Sequence, residues 1–586
     1  MTRTTSKIRK IRTPASIISR QQMRRFGKDE DGAVVAFTLF VLVMMLIAGG
    51  VAVDLMRHEM ERARLQNTLD TAVLAAAGAP FGTSPKGIVQ DYFAKADMSS
   101  YLDDIDDDGE GDDDDITQTL NTSKVKASAK MSMDTYLMKL AGVKSLKAGA
   151  ASSAERRVPK LEVAMVLDVS GSMDDNSKLT NLKTAAKSFV TTILNSAAPG
   201  DAVISIVPFS WDVSAGENIL NQLNVDKRQN YSTCLQFKDN DFKSAAIDPD
   251  VEQLQLIYTS EYDNGLDSLN SEYRTCYNEP NAEILPYSIS ETKLHAKIMS
   301  LQARGNTSGN LGMKWGAALL DPKFASVKTG LSAIKDSDDN PLVSDLIGNV
   351  PAKYNEAETL KVIVMMGDGH NTYSNQFPEN SSFRGANSFL HYLEWQEQSF
   401  SYGYYVYNSS YRTYKESNCD KWYWECVYQS NTYSSYFLYN PNNGKYKNLS
   451  NNDYMQSWEF DALKSAANAT GYENYSWEMA WGRMSPDFLD KKIYYGDAED
   501  EFEDSGNRVQ GWEKDDQMQD ICSAMKKDDR VVIYTIGFEV DKDGTAETEL
   551  KNCATTFAHY YPAKGISITA AFSSIASNVV NLRLTQ

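Results

Sequence analysis

The sequence predicts an α/β fold built on a doubly wound, mostly parallel sheet, and three observations carry that expectation. Short apolar runs at 161–167, 202–209, 360–366 and 530–539 read as buried strands. Helix-like stretches at 178–194, 311–320, 517–527 and 568–582 alternate with them, and apolar strands alternating with helices require a sheet covered on both faces. Two of the runs end in carboxylates, Asp168 and Asp368, placed where parallel strands deliver ligand-binding groups to one edge.

The turn Asp168-Val-Ser170-Gly171-Ser172 offers one carboxylate and two hydroxyls at the end of the first strand. Hard divalent cations take oxygen ligands. Magnesium keeps several waters and needs few protein carboxylates, so it suits this set better than calcium. Taken alone, the same residues would serve equally well as caps of the following helix. Two further stretches agree with the metal reading. Arg304-Gly305-Asn306-Thr307-Ser308-Gly309-Asn310 is a Gly-rich loop opening a helix, and Gly367-Asp368-Gly369 brings the second strand-end carboxylate. Together they resemble the von Willebrand factor A domain, whose metal-ion-dependent adhesion site has the form Asp-x-Ser-x-Ser, then Thr, then Asp-Gly. The resemblance implies Ser170, Ser172 and Thr307 as direct or near-direct ligands of Mg²⁺ (or Mn²⁺), with Asp168 and Asp368 holding metal-bound waters. It also implies a Thr before the last Asp-Gly, where this chain has Gly367. Segments 211–289 and 373–511 exceed what such a domain needs and are expected as insertions.

At the N-terminus, 33–53 is a stretch of 21 residues without a charge. As a helix it spans about 31 Å, close to the ~30 Å hydrocarbon core of a bilayer. Its length points to an uncleaved anchor, since the apolar core of a signal peptide is shorter. Arg3, Lys7, Arg9, Lys10, Arg12, Arg20, Arg24, Arg25 and Lys28 precede it, a bias that holds the N-terminus in the cytoplasm and sends the rest across. Residues 54–77 are rich in helix formers and extend the anchor as a stem that Gly78 and Pro80 end.

The residues flanking the anchor narrow the reading. Arg25-Phe-Gly-Lys-Asp-Glu-Asp-Gly32-Ala33, Val51-Ala-Val-Asp54 and Arg62-Ala-Arg-Leu65-Gln66-Asn-Thr-Leu69-Asp70-Thr-Ala72-Val-Leu74-Ala-Ala-Ala77 resemble the N-terminal region of TadE/TadG-like proteins of the Flp (tight adherence) pilus machinery. Asn552-Cys553-Ala-Thr, His559-Tyr560-Tyr561, Ala570-Ala-Phe572 and Leu582-Arg-Leu-Thr-Gln586 are similar to the C-terminus of TadG-like proteins. The resemblance implies a single-pass protein of the bacterial inner membrane whose large C-terminal region is periplasmic or surface-facing. Position 37, where prepilin-peptidase processing after Gly32 would need Glu, is Phe37, so no cleavage is expected.

Between stem and sheet, 103–115 carries ten acidic residues, half of the net charge of −20. Asp104, Asp106, Asp108, Gly109 and Asp115 partly match a calcium loop, with Asp in place of its closing Glu, so Ca²⁺ is a possible second ion beside the simpler reading of a solvated acidic loop. The acidity argues against nucleic acid as a partner, because no basic patch lies outside the N-terminal tail. A strand at 124–133, a short helix at 135–141 and a strand at 146–154 complete a small β-rich connector. The expected organisation is therefore a tail at 1–32, the membrane helix at 33–53, the stem at 54–80, the acidic loop and connector at 81–157, and the A domain at 158–586.

All six cysteines follow the anchor, and an even count suits an oxidising compartment. The simplest pairing is sequential, Cys234–Cys276, Cys419–Cys426 and Cys522–Cys553, the last flanking one strand; six reduced core thiols remain the alternative. The scattered histidines and the lack of a Cys-x-x-Cys pair speak against zinc. Twelve tyrosines lie between Tyr402 and Tyr446, with Trp422 and Trp424, a composition of binding surfaces and equally of a self-packed subdomain. No catalytic triad, nucleophile elbow or phosphate loop emerges. The expected function is non-enzymatic: a membrane-anchored binding protein of the pilus or adhesion class, whose metal and Tyr-rich insertion engage a protein partner. A structural envelope protein without a metal and a metal-dependent hydrolase are the other readings.

Overall fold

The computed structural model describes residues 30–79, 83–105, 115–118, 122–157, 160–263, 265–336, 339–354, 356, 359–408, 411–417, 425–494, 496–527 and 531–585. The basic tail, most of the acidic run with Asp106, Asp108 and Gly109 of the calcium-like pattern, Cys419, Trp422 and Trp424 lie outside them, as does the side chain of Cys426. The chain forms two compact units, Met1–Arg157 and Val158–Gln586.

In the first unit, α1 (Glu30–Ala77) is one unbroken helix of 48 residues, so anchor and stem are continuous. It is long and apolar enough to cross a membrane, and most of its large apolar side chains from Val34 to Leu46 stand exposed. Further along, Leu65, Leu69, Ala72, Val73 and Ala76 form a buried stripe at helical spacing. The stripe packs with Val89 and Phe93 of α2 (Pro85–Lys95). A three-stranded antiparallel sheet, β1 (Ile116–Gln118), β2 (Thr122–Asp134) and β3 (Ser145–Arg157), supplies Val125, Ala127, Ala129 and Met131 to the same core. These four alternate along β2, as a half-buried strand requires. The short helix expected at 135–141 is instead a tight hairpin turn with one 3₁₀ segment, Met138–Ala141. Asp54 of α1 accepts the backbone N–H groups of Tyr136, Leu137 and Met138, and Gly142 closes the turn at φ 92°.

The second unit is built on a six-stranded sheet of β4 (Lys160–Asp168), β5 (Ala202–Phe209), β6 (Leu285–Ser288), β7 (Thr359–Gly367), β8 (Val531–Phe538) and β9 (Tyr560–Ala563). The order is β9-β8-β7-β4-β5-β6, parallel throughout except for β6. Numbered within the sheet this is 3-2-1-4-5-6, the doubly wound order. Successive residues of β4 feed opposite cores. Val163 and Met165 meet α3 (Lys178–Asn195), α4 (Glu291–Ser300) and α8 (Ile568–Thr585), while Ala164 and Val166 meet α5 (Gly309–Leu320), α6 (Gly511–Lys526) and α7 (Thr545–Cys553). The expected strands and helices are present, with end shifts of a few residues and an earlier start for α6.

The strands β6 and β9 and the helices α4 and α7 were not anticipated, nor was the helix Ala325–Ala333 between α5 and β7. β6 lies inside the segment expected as insertion, so that insertion ends before Leu285. Its four residues are too few to show periodicity, and Pro286 is tolerable only at a sheet edge. The rest of the first insertion holds a small sheet (Val225–Asp226, Leu235–Gln236, Gln253–Gln255) and the buried Cys234–Cys276 disulfide. The second insertion forms a separate β-sheet that includes Leu390–Asn408 and Glu425–Asn440, over an aromatic core with Phe377, Phe383, Trp477, Trp481 and Phe502. Among the described tyrosines of the Tyr-rich stretch, Tyr436 lies 5.0 Å from the Tyr392 ring and Tyr446 stacks on Phe460 at 3.9 Å, so these rings pack on one another.

Candidate metal centre

Asp168 is the last residue of β4, and Asp368 follows directly on its neighbour β7. From β4 the chain winds to β5 on one side; from β7 it goes on to β8 on the other. The two carboxylates therefore sit in the crevice at the reversal of strand order, where open α/β sheets bind ligands.

The sequence-predicted residues meet there. Ser170 N donates to Asp168 Oδ1 at 2.8 Å, and Asp368 N reaches Asp168 Oδ2 at 3.4 Å. The Ser170 and Ser172 hydroxyls lie 3.1 Å apart, and Ser172 Oγ donates to Asp368 Oδ1 at 2.8 Å. Asp168, Ser170, Thr307 and Asp368 are buried, while Ser172 faces solvent. Burial, with the Asp368 charge second, pushes the Asp168 carboxyl up to about 7 against the hydrogen bonds from Ser170 and Asp368. A cation in the crevice would favour its ionised form.

Thr307 arrives on a braced loop. Its backbone exchanges bonds with Thr372, at 2.9 Å from Thr307 N to Thr372 Oγ1 and 3.0 Å from Thr372 N to Thr307 O. Gly305 adopts φ 72°, and a Cβ there would lie 2.4 Å from the Tyr277 hydroxyl, so glycine is required twice over. Tyr277 follows Cys276, and the Arg304 guanidinium lies 4.5 Å from its ring while pairing with Glu279 at 3.0 Å. The disulfide-tied first insertion thus supports the loop that carries Thr307. Asp168 and Thr307 line one cavity of about 20 Å³ together with Gly367 and His370, enough for about one water-sized occupant. At Gly367 an added Cβ would meet nothing nearer than Asp168 Oδ2 at 3.8 Å, so crowding at that atom does not force the glycine.

Sequence reasoning missed Lys178. As the first residue of α3 it donates from Nζ to Asp368 Oδ2 at 2.9 Å, which leaves both Asp368 oxygens engaged by protein groups. A signal existed: a lysine opening a helix opposes the helix dipole and calls for a carboxylate partner. Lys514 was also missed. It is buried beside the Thr307 loop, where Nζ donates to Ser308 Oγ and Ser374 Oγ, each at 2.7 Å, and burial pulls its ammonium down to about 7.

Among the described residues, no group of three or more His, Cys, Asp or Glu side chains could hold a metal. The crevice offers two carboxylates and three hydroxyls, a set that fits a magnesium-type ion retaining its waters and does not fit zinc or a carboxylate-rich calcium shell.

Residues 32–79 match the family model described as putative Flp pilus-assembly TadE/G-like, while the C-terminal residues noted as similar lie outside that match. No curated protein matches the sequence significantly. Among solved structures, the vWF domain of the type V pili tip protein Mfa5 from Porphyromonas gingivalis aligns at TM-score 0.30 and 11% identity, covering 73% of this chain and 97% of that one. The pilus adhesin RrgA from Streptococcus pneumoniae aligns at TM-score 0.28 and 12% identity, covering 79% of this chain and 48% of that one. The fold rests on the strand order and the doubly covered sheet. Residues 32–79, which include the apolar part of α1, are thus similar to the TadE/G-like Flp pilus-assembly family, and the chain continues into an α/β unit built on a doubly wound, mostly parallel sheet.

Proposed function

We propose that the chain is a membrane-anchored, exported, non-enzymatic binding protein that assists pilus assembly or surface attachment. Its crevice would hold Mg²⁺ (or Mn²⁺) through Ser170, Ser172 and Thr307, with Asp168 and Asp368 acting through bound water. A carboxylate from a protein partner would complete the coordination. The observation that carries this reading is the meeting of three separate loops at the reversal of strand order: hydrogen bonds join Asp168, Ser172 and Asp368 at two strand ends, and Thr307 lines a cavity with Asp168. Lys178 favours a second reading, a structural envelope protein without metal, because its ammonium already neutralises Asp368.

Melting of the full chain, stripped with chelator and then given millimolar Mg²⁺, separates the two. At 100-fold excess over the dissociation constant, the bound ion adds about 2.7 kcal/mol. Asp168→Ala and Asp368→Ala are expected to abolish that shift and Thr307→Ala to reduce it. Lys178→Gln should increase it by removing the competing cation. A wild type that melts alike with and without Mg²⁺ or Mn²⁺ rejects the metal reading; a shift confined to Lys178→Gln would show that the lysine has taken the ion's place.

The exported orientation is supported by the basic residues ahead of the apolar segment. Alkaline phosphatase, which works only outside the cytoplasm, is expected to be active when fused after Ala77 and inactive when fused before Ala33. The reverse pattern would overturn the orientation.

A further inference from the structure

The β2–β3 hairpin ends in a turn whose side chains have the wrong chemistry for water. Tyr136 is 71% exposed and Leu140 77%, with Leu137 and Val143 also exposed. Lys139 and Lys144, both exposed, stand beside them in the chain. The turn is fixed to α1 at one height. Asp54, the first charge after the apolar segment, is fully buried beneath it; Oδ1 accepts from Tyr136 N at 3.1 Å and Oδ2 from Leu137 N and Met138 N at 2.7 Å each. One turn deeper, Gly50 admits Leu137 against the helix, since a Cβ at Gly50 would lie 2.7 Å from Leu137 Cβ. Arg57, just above, places its guanidinium 4.3 Å from the centre of the Tyr136 ring. Leu137 thus lies level with the last residues of the apolar helix, and the Arg57 guanidinium lies about two turns further along it.

We propose that this turn is a second membrane contact. Tyr136, Leu137, Leu140 and Val143 would enter the boundary between headgroups and acyl chains where α1 leaves the bilayer, and Lys139 and Lys144 would meet anionic headgroups. Aromatic rings with one polar end favour this zone, and lysines snorkel from it. Aliphatic side chains entering it gain burial that water denies them. The occupant is lipid because the patch is continuous with the apolar length of α1, and Asp54 fixes its depth. The hairpin would then set the tilt and rotation of the stem against the membrane, which a lone helix does not.

The proposal rests on α1 spanning the bilayer, and the test distinguishes the two claims. The full chain is placed in nanodiscs of neutral and phosphatidylglycerol lipids carrying a photoreactive diazirine on the acyl chain, and the lipid adducts are mapped by mass spectrometry. Adducts are expected on Tyr136, Leu137 and Leu140 as well as on Val34–Val53. Tyr136→Ser combined with Leu140→Ser should lower the turn adducts several-fold while those on α1 persist. Labelling of α1 with none on the turn overturns the proposal and leaves the span intact; labelling of neither removes both. A turn protected from lipid and from aqueous hydroxyl radicals alike would be covered by protein, which also overturns it.

Discussion

Lys361→Met is expected to destabilise the α/β unit by about 3–5 kcal/mol, the usual effect of removing one partner of a buried ion pair. Lys361 and Glu162 face each other in register on β7 and β4 and are almost inaccessible to solvent. Their charges meet directly, Lys361 Nζ also donates to Leu320 O at 2.9 Å, and Glu162 Oε1 accepts from Ala352 N at 2.8 Å. With the lysine gone, a carboxylate remains in the core of the sheet. Glu162→Gln combined with Lys361→Met should recover part of the loss, because a neutral amide costs less to bury and still accepts from Ala352.

The deficit should depend on pH with a definite sign. Burial pushes the Glu162 carboxyl up, and in the wild type Lys361 opposes that push. Without Lys361 the folded pKa rises further above the unfolded one. Between those two values the folded state binds more protons than the unfolded state, so stability falls as pH rises. Urea midpoints of Lys361→Met should therefore lie nearer the wild type at pH 5 than at pH 8. An equal deficit at both would mean that the loss comes from Leu320 and packing rather than from an unpaired carboxylate.

Glu162 and Lys361 also illustrate what the sequence concealed. Both sit inside the apolar runs that marked β4 and β7, and only their register shows that each answers the other. The central strands were legible because burial on both faces leaves continuous apolar residues, whereas β6 and β9 are four residues each and occupy edges where the hydrophobic demand is weak. In the crevice, the residues before and after the strand ends were legible because one turn of chain holds them. Lys178 reaches Asp368 across 190 positions, and Tyr277 supports the Thr307 loop from an insertion, so neither contact leaves a local pattern. The 3₁₀ turn at Met138–Ala141 was mistaken for a helix because Met138, Lys139, Leu140 and Ala141 all have helical propensity, which the carboxylate of Asp54 overrides.

Cys522→Ser is expected to lower stability by about 2–4 kcal/mol, the typical effect of losing one native bridge, and to leave Cys553 as a buried thiol. The Cys522–Cys553 disulfide joins α6 to the end of α7 with β8 between them, and both cysteines are buried in the core that includes Ile521, Met525, Ile533 and Leu550. Closing a loop over a separation of 31 residues removes chain entropy from the unfolded state, so the loss should persist even where the folded contacts are unchanged. Serine adds a hydroxyl that this apolar site does not serve, and Cys522→Ala isolates the bridge from that cost. Denaturant midpoints of both variants, read beside wild type under reducing and oxidising conditions, give the result. Reductant should bring wild type down to the level of Cys522→Ala and leave that variant nearly where it was. A wild type indifferent to reductant, with every cysteine reactive in the folded protein, would show that no bridge forms and would also remove the support that disulfides lend to export.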